Sequence, residues 1–408
     1  MTPAPAATVP DSSGRIAILD ILRGFALFGM IVVHFHQNFR LTVPESAHTR
    51  IEVWIGNFTW MGIEQKSWAT FAFLFGVGFA VLMRSAERRG ESVVALYLRR
   101  LAALALVAFA LDIFTGFTIL LDYALWGVPL LLIRKWPTGA LLLVAVLSAS
   151  AWTIPPLTTA VHDWATLGRE GADRATESAR KAQIASRPAP PRNYREFVGY
   201  RLRLLQRRFT NWRSLLPTSS FTLFILGLLA VLRGIFDEPR RHARLIAVFM
   251  AIGLTSWLVY WWGLPLLPTG FAPQTFAMLL HEGLGVISDQ WLAFTYIGAL
   301  VLLLTYRPQW TQRLALFGTA GRMALTNYVL QCVVIFLLSS PFAFGLHLSP
   351  YYYTLGAILL FSATVLLSRA WLSRFLYGPL EWMWRSITYL RIPLLRRVPG
   401  SDGSLTPV

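Results

Sequence analysis

The amino-acid sequence predicts an all-α, polytopic integral membrane protein with about ten transmembrane helices and both termini in the cytoplasm. Its composition is 55% hydrophobic and only 14% charged, whereas soluble domains carry about 25% charged residues. Long apolar runs recur along the chain and approach the length of a bilayer span. These observations exclude a disordered chain, a disulfide-stapled secreted module and an ordinary cytosolic enzyme. The single cysteine, Cys332, excludes an intramolecular disulfide.

The chain divides into two predicted membrane bundles with a polar segment between them. A Pro-, Ala- and Ser-rich tail at 1–14 predicts disorder, and a first bundle of five spans covers 15–155. A polar extracytoplasmic loop at 156–217 precedes a second bundle of five spans at 218–390 and a cytoplasmic tail at 391–408. No small-residue cleavage pattern follows the first apolar run, which therefore predicts a retained helix and not a signal peptide. The predicted spans lie near 19–35, 66–84, 95–115, 117–133, 137–155, 218–236, 243–263, 290–306, 322–345 and 351–371.

Basic residues in the short loops set the expected orientation, because cytoplasmic loops carry an excess of Lys and Arg. With the N-terminus inside, the internal loops hold fourteen basic residues and the external loops hold three. The internal ones are Arg84, Arg88, Arg89, Arg99, Arg100, Arg134, Lys135, Arg233, Arg240, Arg241, Arg244, Arg307, Arg313 and Arg322, and the external ones are Arg40, Arg50 and Lys66. This bias predicts that both termini are cytoplasmic.

The polar segment 156–217 departs from this rule, because it holds twelve basic residues and yet alternation places it outside. Part of it has apolar residues at helical spacing, which predicts an amphipathic helix. These residues are Tyr194, Val198, Leu202, Leu205, Phe209 and Trp212. Two roles stay open for this helix: it lies on the lipid surface, or it forms a lid or an acceptor-binding element.

The formal net charge of +17 predicts contact with anionic membrane lipids and not with nucleic acid, because the basic excess of a membrane protein faces anionic headgroups. No P-loop, zinc-ligand spacing or serine-hydrolase motif occurs in the sequence, which therefore predicts no metal ion. The oligomeric state stays open, with a homodimer among the alternatives.

The first helix carries three ionisable residues, Asp20, Arg23 and His34. Such residues are costly inside a membrane and are therefore candidates for function. On an α-helix, Arg23 and His34 share a face about 16 Å apart along the axis, with Asp20 about 40° from His34. Asn38 extends this stripe outward, whereas His36 points away from it. Two interpretations stay open: an interfacial Asp20–Arg23 pair with His34 bonded to a neighbouring helix, or a stripe of catalytic and binding residues.

Polar residues near the predicted external face are further candidates. Glu64 and Lys66 open the second span, where they form an ion pair at the interface or orient an acceptor substrate. Asp112 and Asp122 bracket the turn between the third and fourth spans, where they are solvated or orient the imidazole of the first helix. His48, in the first external loop, is a reserve candidate for a catalytic base.

The opening helix, LDILRGFALFGMIVVH (19–34), resembles that of the membrane acyltransferase superfamily, which includes acyltransferase-3 sugar O-acetylases and the lysosomal heparan-glucosaminide N-acetyltransferase. Acyltransferase-3 proteins carry an Arg followed eleven positions later by a His, as Arg23 and His34 stand here. The YeiB-type pattern (domain of unknown function 418) usually has Asn at the position of His34, and a Gly-Asp pair where this chain has Phe117-Thr118. The rest of the chain nevertheless resembles the YeiB-type proteins through EQKSWATFAFLFGVGFA (64–80), GRMALTNYVLQC (321–332) and GPLEWMWRSITY (378–389).

This resemblance implies an enzyme of a bacterial-type inner membrane that moves an acyl group from cytoplasmic acyl-CoA or acetyl-CoA to an extracytoplasmic sugar, lipid or small metabolite. His34 would act as a general base or as a nucleophile, with Asp20 and Asp122 as further catalytic residues. Arg23 would bind the phosphates of the donor. The residues that would bind the acceptor are Asn38, Glu64 and Lys66. The alternative is a non-catalytic transporter or a lipid- or metabolite-binding protein on the same scaffold.

Overall fold

The computed structural model of the protein describes residues 12–39, 48–117, 119–185, 190–211, 219–263 and 274–397. The helices run in the order α1 (Ser12–Phe39), α2 (Arg50–Phe58), α3 (Gln65–Arg88), α4 (Val93–Thr115), α5 (Ile119–Ile133), α6 (Thr138–Ala185), α7 (Tyr194–Thr210), α8 (Ser219–Leu232), α9 (Ala243–Leu258), α10 (Gln274–Tyr306), α11 (Gln309–Arg313), α12 (Ala315–Arg322), α13 (Ala324–Ser339), α14 (Pro350–Leu372) and α15 (Pro379–Tyr389). The predicted all-α class is therefore confirmed for the described residues. Most of the predicted N-terminal tail, Trp212 and residues 398–408 lie outside them.

Several of these helices are long and apolar enough to cross a membrane. They are Ala17–Phe39, Arg50–Arg88, Val93–Thr115, Ala243–Trp262 and Pro350–Leu372, and α12 with α13 adds a sixth if their 84° bend lies within one span. Four shorter apolar helices are Ile119–Ile133, Thr138–Ser150, Ser219–Leu232 and Gln290–Tyr306. Each of the ten apolar runs in the sequence thus coincides with a described helical segment. The number of crossings and the orientation of the termini stay predictions.

The second predicted span begins earlier than expected. A capping box between Thr49 and Glu52 starts α2 at Arg50, and a π-helical turn, Thr59–Glu64, joins α2 to α3. Glu64 is consequently 7% exposed, and Lys66 is 1% exposed. Helical backbone thus precedes both residues and packs them inside the protein, and their position at the membrane interface stays a prediction.

The polar segment 156–217 also differs from the expected loop. Helix α6 continues through it to Ala185, with a break at Gly168, whose φ is +65°. Its sequence is rich in Ala, Arg and Glu, which favour the helix. The amphipathic helix is confirmed as α7, and the side chain of Asn193 caps its first turn by accepting from the backbone N–H of Glu196 at 2.9 Å.

Helix α1 lies at the centre of the protein, in contact with α3, α10, α12, α13 and α14. It meets α12 backbone to backbone: a Cβ on Gly321 would clash with the carbonyl of Asp20, and one on Gly24 would clash with the carbonyl of Phe317. Small residues of this kind allow membrane helices to approach closely. This contact fixes the start of α1 against the bend between α12 and α13.

Helix α15 secures the other side of that bend. The Glu381 carboxylate accepts from the backbone N–H groups of Leu325 at 2.7 Å and Thr326 at 3.0 Å, at the start of α13. A carboxylate at a helix N-terminus satisfies unpaired N–H groups and complements the helix dipole. Burial raises the pKa of Glu381, while its bonds to Thr326 and Leu325 lower it. The C-terminal helix therefore docks onto α13 through this cap.

Candidate functional site

A cavity of about 330 Å³ lies between α1, the π-helical turn Thr59–Glu64, the turn between α4 and α5, and α13. Polar and aromatic side chains share its walls. The lining residues are Met30, Val33, His34, Gln37, Glu64, Gln65, Trp68, Gly116, Phe117, Ile119 and Tyr328. A volume near the lower end of about 300–1,000 Å³, the usual range for ligand pockets, suits a small organic molecule.

The imidazole of His34 forms part of the cavity wall and is 4% exposed. Its Nδ1 lies 3.3 Å from Gln331 Nε2 and 3.9 Å from Cys332 Sγ. Its ring centroid lies 4.6 Å from that of Phe117 and 5.7 Å from that of Tyr328. Contacts from the α4–α5 turn and from α13 therefore fix this side chain of α1 in one orientation.

Gln331 determines which ring nitrogen of His34 carries the proton. With its amide nitrogen toward the ring, Gln331 donates to Nδ1, and the proton lies on Nε2. With the amide turned over, Gln331 Oε1 accepts from Nδ1–H and leaves a lone pair on Nε2. The turned amide also pairs Oε1, which otherwise has no hydrogen-bond partner among the described residues. Only this second arrangement makes Nε2 of His34 a base.

The Glu64 carboxylate is the second ionisable group on the cavity wall. Its Oε1 accepts from Gln37 Nε2 at 2.8 Å, and its Oε2 lies 3.7 Å from His36 Nε2. Behind it, His36 Nδ1 lies 3.0 Å from the hydroxyl of Tyr353. Glu64 Oε2 is buried without a hydrogen bond among the described residues. A buried oxygen of this kind costs free energy until a donor reaches it, so the cavity favours a ligand with an O–H or N–H group.

The π-helical turn Thr59–Glu64 places Glu64 on the cavity. A π-helical turn inserts one residue into a helix and disrupts its regular hydrogen bonds, and such turns occur frequently at functional sites. Two carbonyls of this turn bond to other helices: Trp257 Nε1 donates to Met61 O at 2.9 Å, and the hydroxyl of Tyr296 donates to Gly62 O at 2.8 Å. These contacts with the α9–α10 region hold the turn in place.

Helix α7 packs on the turn between α4 and α5, one of the cavity walls. Arg201 pairs with Asp112, and Arg208 pairs with Asp122. Arg201 also donates to the carbonyl of Gly116, a lining residue, at 3.1 Å. Asp112 is fully buried, so its expected solvation is wrong, and Asp122 is likewise held by an arginine. These pairs support the lid role over a helix lying free on the lipid surface.

Cys332, the single cysteine, is fully buried beside His34. If α7 closes the cavity, breaking one of its ion pairs should let a thiol reagent reach Cys332. Hydrogen bonds to charged groups contribute about 1.5–3 kcal/mol, so Arg208→Gln is expected to raise the rate of maleimide labelling of Cys332 about tenfold or more. The matched control is Arg203→Gln, on the same helix but exposed. Equal labelling rates in Arg208→Gln and the unmodified protein would contradict a lid.

The acidic candidates Asp20 and Asp122 each pair with an arginine. Asp20 bonds Arg23 at 2.9 Å and lies fourteen residues before His34, about 21 Å along the helix axis. Asp122 bonds Arg208 on α7. Direct action of Asp20 on His34 therefore does not fit this distance, whereas the catalytic role of Asp122 stays a prediction. Arg23 remains at the far end of α1, as the sequence predicts.

The remaining predicted residues lie outside the cavity. Asn38 donates to the carbonyl of His34, one turn earlier in α1, at 2.8 Å. Lys66 lines a second cavity of about 70 Å³ with Phe25, Phe28 and Thr70 among its walls. His48 lies near Glu52 at the start of α2. Of the predicted acceptor-binding residues, only Glu64 shares the cavity with His34.

Sequence reasoning missed Gln37, Tyr328 and Gln331 as members of this site. Gln37 follows His34 by three residues, so helical periodicity was a usable signal for it. Tyr328 is buried, and its ring contacts that of His34 from a helix almost three hundred residues away in sequence. No local pattern links such distant positions.

Comparison with known proteins finds two family models along the chain. Residues 230–391 match the model described as a protein of unknown function (DUF418). Residues 15–173 match the catalytic model of heparan-alpha-glucosaminide N-acetyltransferase. His34 and Glu64 lie in the second match, whereas Tyr328 and Gln331 lie in the first. The walls of the cavity thus combine both matched regions.

Three relatives match almost the whole chain. Uncharacterized protein YxaH of Bacillus subtilis is 29% identical over 402 residues, 92% of this chain and 94% of the relative. An uncharacterized 39.9 kDa protein in the amylase 3′ region of Bacillus acidopullulyticus is 28% identical, covering 93% of this chain and 96% of the relative. Uncharacterized protein YeiB of Escherichia coli is 26% identical, covering 92% and 96%.

Proposed function

Because this chain is a relative of the YeiB-type proteins, with a DUF418 region at 230–391 and a region similar to the catalytic part of an N-acetyltransferase at 15–173, we propose that it is a membrane acyltransferase. The donor is cytoplasmic acyl-CoA or acetyl-CoA, and the acceptor is an extracytoplasmic sugar, lipid or small metabolite. The observation that carries this proposal is the buried imidazole of His34 on the wall of a cavity that also holds Glu64 Oε2, an oxygen without a hydrogen bond among the described residues.

In this proposal the acceptor occupies the cavity with its hydroxyl or amine beside His34. Nε2 of His34 takes the proton as the acceptor attacks the thioester carbonyl. The new C–O or C–N bond forms, the C–S bond breaks, and the imidazolium returns the proton to the leaving thiolate to give CoA-SH. The hydroxyl of Tyr328 is suited to stabilise the oxyanion of the intermediate, and Glu64 to hold another hydroxyl or amine of the acceptor.

In this proposal the two substrates approach from opposite ends of α1. Arg23, partly exposed at the start of the helix, binds the phosphates of the donor through its planar guanidinium. The cavity lies near the other end, under α7. This proposal places the donor on the cytoplasmic side and the acceptor on the external side of a bacterial-type inner membrane. It also includes contact of the protein with membrane lipids, either as a monomer or as a homodimer.

A transporter or metabolite-binding protein is the second candidate. The bend of 84° between α12 and α13 and the π-helical turns after α2 and α9 favour it, because interrupted helices form substrate sites in many transporters. In this case the cavity binds the solute, and no acyl group is transferred.

The test is acyl-CoA binding by the purified full chain in lipid nanodiscs, followed by single-turnover transfer to candidate acceptors. We expect measurable affinity for acetyl-CoA or a longer acyl-CoA, weakened by Arg23→Ala and largely unchanged by His34→Ala. Arg134→Ala, a basic residue of another predicted cytoplasmic loop, is the control. No affinity for any acyl-CoA would refute the transferase and leave the transporter or binding protein.

A further inference from the structure

Helix α7 is attached to the rest of the protein at three points along one face. The hydroxyl of Tyr194 donates to the carbonyl of Phe114 at 3.1 Å, and Arg201 and Arg208 form the ion pairs described above. These three side chains of α7 are spaced by seven residues, about two helical turns, so they share a face. Their partners lie in the last turn of α4 and the first turn of α5. The attachments therefore fix the rotation of α7 about its own axis.

This rotation leaves an apolar flank of α7 uncovered. Leu202 and Phe209, again seven residues apart, are 45% and 46% exposed. On the helix they lie about 80–100° from Arg201, beside the attached face. Leu205, between them in sequence, is 5% exposed and belongs to the core. The flank formed by Leu202 and Phe209 thus presents apolar surface next to the attached face.

The outer face of α7 is basic. Two of its five arginines are paired with the aspartates of α4 and α5. The other three, which we call the outer arginines, are exposed and are Arg195, Arg203 and Arg207. They lie about 120–240° from Arg201, on the side opposite the attachments. The one acidic residue of the helix, Glu196, accepts from the backbone N–H of Arg192 at 2.9 Å, so the outer face carries excess positive charge.

The position of α7 is that of a helix at a membrane boundary. Helix α4 is apolar and long enough to cross a membrane, so its end, where α7 is attached, is expected to lie near the boundary of the bilayer. A helix in this position places apolar side chains among acyl chains and basic side chains at anionic headgroups. A soluble acidic partner would cover the outer arginines but would leave Leu202 and Phe209 exposed to water. A lipid accounts for both surfaces.

We propose that the outer arginines bind the headgroups of anionic phospholipids, with Leu202 and Phe209 against the acyl chains. Helix α7 then contacts the protein on one face and lipid on two others. This lipid site rests on the membrane location included in the proposed function, and it does not depend on acyl transfer.

The test uses the full chain in nanodiscs with a fluorescent label on Gln206→Cys, an exposed position between Arg203 and Arg207. Quenching by spin-labelled phosphatidylglycerol or phosphatidylcholine, at equal mole fraction, measures which lipid lies beside α7. We expect phosphatidylglycerol to quench more strongly at low salt, and the difference to shrink at high salt because exposed charges are screened. The chain without Gln206→Cys, treated with the same label, gives the background from Cys332.

Charge variants test the outer arginines. Arg203→Gln with Arg207→Gln is expected to lower the association of phosphatidylglycerol relative to phosphatidylcholine about fivefold for each arginine removed. Arg203→Lys with Arg207→Lys keeps the charge and should retain most of the preference. The matched control is Arg240→Gln with Arg241→Gln, two exposed arginines outside α7, which should leave quenching at α7 unchanged. Thermal unfolding of each variant separates lost lipid binding from lost folding.

A further variant tests the apolar flank. Leu202→Gln with Phe209→Gln removes apolar surface without changing the charge. It is therefore expected to reduce quenching by both lipids in similar proportion, while the preference for phosphatidylglycerol remains. Unchanged quenching by both lipids in this variant would overturn the contact with acyl chains.

Equal quenching by the two lipids, independent of the outer arginines in folded variants, would overturn the headgroup site. Absence of quenching by either lipid would overturn the whole proposal and leave a soluble acidic partner for the outer arginines. A preference for phosphatidylglycerol without detectable acyl transfer would keep the lipid site and refute the transferase. Acyl transfer with equal quenching by the two lipids would keep the transferase and refute the lipid site.

Discussion

Replacing His34 with Asn is expected to lower the turnover of acyl transfer by about 10²–10⁴-fold, the usual cost of losing a general base. Asn is close to His in reach and retains a polar group for Gln331, so the packing around the cavity should survive. It is also the residue that the YeiB-type pattern usually has at this position. The measurement is the single-turnover rate with saturating acyl-CoA, and the affinity for coenzyme A should stay unchanged because Arg23 lies at the opposite end of α1.

The matched control is His347→Asn, an exposed histidine in the segment between α13 and α14, which should leave the rate unchanged. Full activity in His34→Asn would exclude His34 as the base. Glu64 is another proton acceptor on the cavity wall, and in that case Glu64→Gln should lower the rate of acyl transfer. If both variants keep full activity, proton transfer does not occur in this cavity.

Replacing Gly76 or Gly227 with Ala is expected to reduce the stability of the folded protein severely. The two glycines form a reciprocal contact between α3 and α8: a Cβ on Gly76 would clash with the carbonyl of Phe224, and one on Gly227 would clash with the carbonyl of Phe73. Neither obstacle is a flexible side chain, so the helices must separate. Overpacking costs about 1–3 kcal/mol where side chains adjust, and we expect at least the upper value here.

The measurement is the thermal unfolding midpoint in detergent together with the yield of monodisperse protein. The matched control is Gly78→Ala, two residues away on the same helix, where an added Cβ meets no atom within 4 Å. Because Ala favours the helix over Gly by about 1 kcal/mol, Gly78→Ala should be neutral or slightly stabilising. Unfolding of Gly76→Ala at the same temperature as Gly78→Ala would contradict a backbone contact between α3 and α8.

The apolar runs of the sequence located the helices well but not their ends. The run near 66–84 predicts the interior of α3. It does not predict α2 or the π-helical turn before α3, because α2 begins at a capping box among polar residues that a hydropathy argument assigns to a loop. The charged residues of the segment 156–185 favour a solvated loop, whereas its intrinsic helix propensity favours a helix. The structure shows that the segment is helical. Local capping and propensity therefore decided the boundaries that apolar length did not.

The candidate site shows the same division between local pattern and tertiary contact. The sequence by itself determined the all-helical class, the positions of the apolar helices and the separation of Arg23 and His34 along α1, because 3.6-residue periodicity and composition act within one helix. Only the tertiary structure brought Glu64, Tyr328 and Gln331 to His34 and bound Asp122 to α7. Those partners come from helices whose approach is set by packing, such as the contact of Gly321 with Asp20, and no periodicity within one helix encodes which face of another helix it meets.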